Sequence, residues 1–257
     1  MVYYVAYRAS NEVKNRSQIV RRLRALGCTH IRRAFWKVED SQIDRVMRLL
    51  HDCYPVIMRR RREVERPRAS KEGKLRGLGS LIVIAYKGSN RDRMKIAEVL
   101  RKSPCLRLCR GVYAFSQGFK RVGAGSELVD ANRFWHFIRE VDENAVVIPK
   151  LVVDNPDVIE RIVEETRTRI EKGINGIVEG YENLYHKVKQ NQGDREYVLS
   201  TTRKLRRRFV MVKKLAKVYE KWLRISLSPL MIKPYSRIRK LHTLLDEKYE
   251  AVRPRIA

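Results

Sequence analysis

The sequence predicts an α+β protein in which one unit of strands and helices occurs twice and a helical extension follows. The first observation is a repeat: the apolar run, Tyr, cation, small residue and Ser-Asn of residues 5–11 return at residues 84–90. The repeating unit is roughly 75 residues long, whereas solenoid units have roughly 20–50, so it is a duplicated domain. The second observation is a change after Asn155-Pro156 to apolar residues at three- and four-residue steps, which is typical of long helices.

The first copy of the repeat covers residues 1–64. Alternating Tyr and Val residues favour strands, and apolar residues at helical spacing favour helices. This order is the βαββαβ arrangement of a ferredoxin-like domain. The predicted elements are a strand at 2–7, a helix at 16–26, a strand or tight hairpin at 29–38, a helix after Asp40-Ser41 and a strand at 55–58.

The second copy covers residues 79–154 and repeats this order, which predicts two tandem ferredoxin-like domains. Residues 65–78, between the copies, have no apolar period and are rich in glycine and cations, which predicts a basic linker. We expect the copies to pack through edge strands or sheet faces. The predicted elements are strands at 80–87, near 105–116 and at 145–153, and helices at about 91–102 and 127–140.

Residues 155–257 predict a basic helical hairpin followed by a C-terminal helix. One long amphipathic helix, interrupted by three glycines, is predicted over 159–188. A short turn precedes a second long helix at about 194–226, and a segment with two prolines separates it from a third at about 235–249. Two long helices joined by a short turn pack antiparallel.

The charge of the chain indicates a polyanionic partner. The 257 residues include 57 Lys and Arg against 29 Asp and Glu, for a net charge of +28, and every segment is basic. Such self-repulsion is tolerated when a polyanion neutralises it. We therefore expect duplex DNA or structured RNA, including ribosomal RNA, as the partner.

Membrane insertion and secretion are not expected. No apolar run approaches the roughly 18 residues of a spanning helix, and residues 1–4 begin a strand rather than a signal peptide. We expect a cytoplasmic protein associated with the nucleoid or the ribosome.

Cysteine and histidine patterns predict neither a disulfide nor a metal site. No Cys-x-x-Cys occurs, and Cys105 and Cys109 are too far apart along one strand to pair. The five histidines have no ligand spacing. We expect buried free thiols in a reducing compartment, no metal and no cofactor.

The sharpest local signal is the segment 203–217, which has eight cations and no acid. At 100° per residue, six of these cations fall on one side of a helix, and Leu205, Phe209, Val212 and Leu215 fall on the other. A solvated helix face would normally include Glu for i,i+4 pairs. We expect this side, called the cationic ridge, to contact phosphates. Its members are Arg203, Arg206, Arg207, Lys213, Lys214 and Lys217.

The duplicated part resembles a known family. Its apolar strand ending in Tyr, Ser/Asn loop, basic helix and strand with Phe35-Trp36 or Val112–Phe115 resemble the CRISPR adaptation protein Cas-two and the C-terminal domain of phenylacetate-type repressors. That family forms homodimers of a ferredoxin-like unit, so the resemblance implies either a homodimer or an intramolecular pseudo-dimer here, and duplex nucleic acid as ligand.

The resemblance also bears on catalysis. Family members described as metal nucleases carry an Asp directly after the Tyr that ends the first strand. The matching positions here hold Arg8 and Lys87, and a cation at either position repels Mg²⁺. No catalytic or metal-binding residue is therefore predicted.

The sequence thus predicts a non-enzymatic protein that binds nucleic acid largely without sequence preference, as a chromatin-type or a ribosome-associated factor. The alternatives are a divergent metal-dependent nuclease of the Cas-two type and a transcription regulator, for which no compact helix-turn-helix pattern is present. Phe35, Trp36, Tyr113 and Phe115 are either core residues or stacking residues for bases. The predicted phosphate contacts are Arg8, Arg59, Arg60, Arg61, Arg62, Lys87 and the six residues of the cationic ridge.

Overall fold

The computed structural model describes residues 1–9, 16–118, 127–190, 192 and 194–249. The chain divides into two compact units. The first unit comprises Met1–Glu164 and Lys221–Arg224, and the second comprises Glu165–Glu220 and the chain from Ile225 onward.

The first unit is built on one eight-stranded antiparallel sheet, in the order β2-β3-β1-β4-β10-β7-β9-β8. The unit also contains helices, so the predicted α+β class is confirmed. The strands are β1 Val2–Ala6, β2 Thr29–Arg32, β3 Phe35–Glu39, β4 Val56–Arg60, β5 Arg68–Ala69, β6 Leu75–Gly77, β7 Leu81–Ala85, β8 Cys105–Cys109, β9 Val112–Ser116 and β10 Val146–Val153. The helices are α1 Arg16–Ala25, α2 Ile43–Leu49, α3 Arg93–Arg101 and α4 Ala131–Val141.

The two copies of the repeat have the same element order and the same strand order. In each, the first strand lies between the third and the fourth. The same backbone hydrogen bond recurs: Tyr7 N–H donates to the Ala34 carbonyl at 3.1 Å, and Tyr86 N–H donates to the Gly111 carbonyl at 2.9 Å. The last strands of the copies, β4 and β10, pair antiparallel, with Met58 opposite Val153. The two copies therefore share one sheet through edge strands, as expected.

Both faces of β7, an inner strand of the sheet, are buried. On β7, Ile84 packs with Ile96 of α3 and Phe134 of α4, whereas Leu81 and Val83 on the other face are 0% exposed. Because side chains alternate along a strand, neither face of β7 meets solvent at these positions. The tight cores leave Trp36 of β3 fully buried beneath α1 and α2.

The sheet curves until its two ends approach each other. Arg33 follows β2, the strand at one end of the order, and Gly111 follows β8, the strand at the other end. A Cβ added to Gly111 would lie 3.3 Å from the Cγ of Arg33. Arg32 also donates to the carbonyl of Asn144 at 2.6 Å. These contacts bring the loops of the first copy against those of the second.

The segment between the copies has more structure than a linker. It contains the two-stranded sheet β5–β6, and Ser80 closes it by donating its N–H to the Glu65 carbonyl at 2.9 Å while its Oγ accepts from the Glu65 N–H at 2.8 Å. The absence of an apolar period did not predict this hairpin, because strands of two and three residues are too short to show one.

The second unit is made of three helices. Residues from Glu165 in α5 (Pro156–Lys189) pack antiparallel on α6 (Arg195–Leu223), and α7 (Ile232–Tyr249) covers them. A Cβ on Gly173, Gly176 or Gly180 of α5 would meet residue 212, 208 or 205 of α6, at 3.4, 3.2 and 2.6 Å. The three glycines form a stripe that lets the helices approach closely, and the descending order shows that they are antiparallel.

The four cysteines are free and buried, and burial raises the pKa of the Cys109 thiol to about 12.

Across the described ranges, no helix combines the length and apolar character that crossing a membrane requires.

Candidate nucleic-acid interface

The cationic ridge lies on α6, whose apolar face fixes it in place. Phe209, Leu215 and Tyr219 are buried on that face. The Tyr219 hydroxyl accepts a hydrogen bond of 3.0 Å from Arg169 of α5. The ridge is therefore carried by a helix held along its length, so the spacing of its cations is set by the helical rise.

Most of the ridge is open to solvent. Its exposed members form no ion pair with a carboxylate in the part of the chain that the structure describes. Their charge is available to a ligand, although Lys217 helps to lower the pKa of the neighbouring Glu220. These members are Arg203, Arg206, Arg207 and Lys217.

The other two members of the ridge are half-buried. The Lys213 ammonium donates to the Tyr235 hydroxyl of α7 and lies 5.2 Å from the centre of that ring. Lys214 also has an interaction partner. The helical projection placed both on the open side because it contained no information on where α7 packs.

The C-terminal end of α6 is fixed by Glu220. Its carboxylate accepts from the N–H groups of Leu227 and Ser228 at 2.8 and 2.7 Å. Partial burial alone would raise the pKa of Glu220, but these hydrogen bonds and the Lys217 charge outweigh it, so the pKa lies below its usual value. The carboxylate thus holds the turn that leads to α7.

The basic run at residues 59–62 alternates in role, because Arg59 and Arg60 belong to β4 and strand side chains alternate. Arg59 pairs with Asp154 at 2.5 Å, and Arg61 pairs with Glu65 at 3.1 Å. Arg60 and Arg62 are exposed. Half of this run is therefore committed to the fold of the first unit, and half faces solvent.

Arg8 and Lys87 occupy equivalent positions but differ in use. The Arg8 guanidinium donates to the Leu108 carbonyl at 2.8 Å and to the Arg107 carbonyl, so it joins the first copy to β8. Lys87 is exposed, and its backbone N–H donates to the Asp142 carboxylate at 2.7 Å. Arg8 is a bridging residue between the copies, and its guanidinium has partners without any ligand.

The structure also bears on base stacking by aromatic residues and on metal binding. Phe35, Trp36 and Phe115 are at most 2% exposed, so they belong to the core and cannot stack on bases; Tyr113 is half-buried. Within the described ranges, no group of three His, Cys, Asp or Glu side chains is placed to hold a metal ion.

Sequence reasoning missed a second group of cations. Four arginines from three segments line one cleft of the first unit. Their sequence signal is weak: Arg33 and Arg110 occupy the turn between the second and third strands, one in each copy, and Arg107 lies three residues before Arg110. They are Arg33, Arg93, Arg107 and Arg110.

The fold and these basic surfaces were compared with known proteins. Searches against protein-family models, curated proteins and solved structures found no match to this chain.

Proposed function

We propose that the protein is a non-enzymatic nucleic-acid-binding protein that contacts the phosphates of duplex DNA or structured RNA, largely without sequence preference. The observation that carries the proposal is the open part of the cationic ridge, where four exposed cations on one helix form no ion pair with any carboxylate that the structure describes. A phosphate backbone presents charge at regular intervals, and a row of cations matches that pattern without reading bases.

The binding mode follows from side-chain chemistry. Three of the four open cations are arginines, whose planar guanidinium donates two parallel hydrogen bonds to a phosphate. Contacts of this kind fix position along a strand, and they carry no direct sequence information.

The proposal extends to the fold and the family. The shared strand order of the two copies supports two ferredoxin-like domains that form an intramolecular pseudo-dimer, which fits the resemblance to Cas-two. The Arg8 guanidinium, bonded to two backbone carbonyls, supports the non-enzymatic reading, because it occupies the strand end where the nucleases of that family carry Asp. The expected location is the cytoplasm, with the nucleoid or the ribosome.

The test is to crosslink the protein to nucleic acid in its native cell, purify it under denaturing conditions and sequence what is attached. Ribosomal RNA with ribosomal proteins would make it a ribosome-associated factor, and genomic DNA without base preference would make it a chromatin-type binder. If the protein recovers no more crosslinked nucleic acid than a variant that lacks the open ridge cations, the proposal is contradicted.

A further inference from the structure

The cleft lined by the four missed arginines has a definite place in the fold. It is a cavity of about 400 Å³ between the loop after β7, the first turns of α3 and the turn between β8 and β9. Arg33 reaches it from the other copy of the repeat. The cleft thus depends on the curvature that brings the two ends of the sheet together.

The lining of the cleft is strongly cationic. No acidic residue is among the described residues that line it, although the nearby Asp92 carboxylate accepts a hydrogen bond from the lining Ser89 hydroxyl at 2.6 Å. None of the four guanidiniums has an ion pair within the described part of the chain. The Nε of Arg33 is buried and makes no hydrogen bond there. Buried donors are normally satisfied, so an acceptor bound in the cleft within reach of this nitrogen would be favourable.

Two glycines allow close packing in the wall of the cleft. A Cβ on Gly88 would lie 2.9 Å from Ile96 Cδ1 and 3.1 Å from the Tyr86 ring. A Cβ on Gly111 would lie 2.5 Å from the Tyr86 carbonyl oxygen, and its φ of +75° is unfavourable for other residues. A side chain at either position would therefore force the wall of the cleft to move.

The remaining wall is aromatic. The rings of Tyr86 and Tyr113 are stacked, with centroids 6.1 Å apart and planes 12° apart. Tyr86 is buried, whereas Tyr113 is half-exposed at the cleft. A cavity that joins guanidiniums to a flat ring suits a ligand with an anionic group attached to a planar or apolar body.

We propose that this cleft binds a phosphomonoester carried on a group of mononucleotide size. A terminal phosphate has a charge of about −1.5 to −2 and three acceptor oxygens, which suits several converging guanidiniums. A phosphodiester inside a duplex has one charge and two neighbours in the backbone, so it suits a concave pocket less well. Two cavities beside α5 and α7 are each lined in part by Glu182, and one of them also by Glu179, so they are less favourable to anions.

Two sources supply this chemistry: a free nucleotide and the terminal nucleotide of a strand. The second source rests on the proposed function, and the first does not. Calorimetric titration of the full chain with 5′-AMP, adenosine and inorganic phosphate tests the site directly. We expect 5′-AMP to bind at least about tenfold more tightly than adenosine, and phosphate to bind more weakly than 5′-AMP.

The matched variants separate the cleft from general charge. Arg107 and Arg110 are exposed, so changing both to Gln leaves the fold intact. The control changes Lys95 and Arg101, which are exposed on α3 outside the lining, to Gln. We expect R107Q/R110Q to weaken the affinity for 5′-AMP by at least about tenfold. The control should keep that affinity within about twofold of the unaltered protein. An equal loss in both variants would overturn the proposal.

The second arm uses short duplexes with and without a 5′ phosphate, and a relaxed circular duplex. Tighter binding of the phosphorylated ends, lost in R107Q/R110Q, identifies a strand end as the source. Binding of 5′-AMP without preference among duplexes identifies a free nucleotide. No preference for 5′-AMP over adenosine together with none for phosphorylated ends overturns the proposal. Failure of the proposed function is seen separately, as absence of binding to the circular duplex.

Discussion

The ridge and the cleft are both basic, but the chain builds them differently. The ridge draws its cations from one helix, whose period sets them in a row. The cleft draws its arginines from three segments that only the folded sheet brings together: the turn after β2, the start of α3 and the hairpin of β8 and β9. A row of charges matches a repeating backbone, whereas converging charges match one compact anion. Arginine side chains can therefore suit two different ligand shapes, depending on how the fold arranges them. The comparison predicts that a variant can lose binding at the ridge while it keeps binding at the cleft, and the reverse.

The largest expected effect comes from adding a side chain to the wall of the cleft. Gly111→Ala forces a side chain to a φ of +75° and places its Cβ 2.5 Å from a backbone oxygen. We expect the free energy of unfolding to fall by about 2 kcal/mol or more. Urea denaturation measures it.

Two glycine controls separate the causes of this loss. Gly73 has a φ of +81° with no atom near its Cβ, and Gly118 has no atom near and no positive φ. We expect Gly73→Ala to cost about 1 kcal/mol and Gly118→Ala almost nothing. If Gly111→Ala lowers the free energy of unfolding no more than Gly73→Ala does, the wall of the cleft moves to accommodate the added Cβ.

The next effect concerns the ridge. Changing Arg203, Arg206 and Arg207 together to Gln should leave folding nearly intact, because exposed charges contribute little to stability. Binding should weaken for all sequences alike. The slope of log affinity against log salt should become shallower by roughly two to three units, about one per lost phosphate contact.

The control for the ridge variant removes the same charge elsewhere on the second unit. Arg167, Lys172 and Lys233 are exposed cations outside the ridge. Their change to Gln should leave the salt slope almost unaltered. If both triple variants lose affinity equally, total charge rather than the ridge determines binding.

The smallest effect is a pH dependence at the end of the ridge helix. Because the pKa of Glu220 is lowered in the folded protein, its stabilisation is full above its unfolded pKa of about 4.3 and is lost as pH falls through the folded value. E220Q should therefore be less stable than the original at about pH 7, and the difference should shrink below about pH 4. Glu179→Gln, at an exposed position, is the control. A difference that does not change with pH would contradict the role given to the carboxylate.

The sequence was informative where structure repeats locally. The duplicated motif predicted the equivalent starts of β1 and β7, and the apolar periods predicted α5 and α6 to within a few residues. The three glycines in α5 were visible as interruptions, but their function as a close-packing stripe needed the position of α6. Apolar periodicity indicates which face of a helix or strand is buried, but it does not indicate which other element packs on that face.

The sequence failed where two distant segments meet. Arg8 looked available for phosphate, but its partners are carbonyls about one hundred residues away. Arg59 and Lys213 looked open for the same reason, and Asp154 and Tyr235 cover them. The cleft was missed because its arginines share no spacing. Contacts between remote segments arise from sheet curvature and helix packing, and neither is encoded in a local pattern.

The central claim is that phosphates bind the exposed cations, and one measurement tests it most directly. The affinity of the unaltered protein for a mixed-sequence duplex should be measured at salt concentrations from about 50 to 200 mM. Each phosphate contact contributes about −0.9 to the slope of log affinity against log salt, so the four open ridge cations predict a slope of about −3.6 or steeper. A slope near zero, or no binding at the lowest salt, would contradict the account.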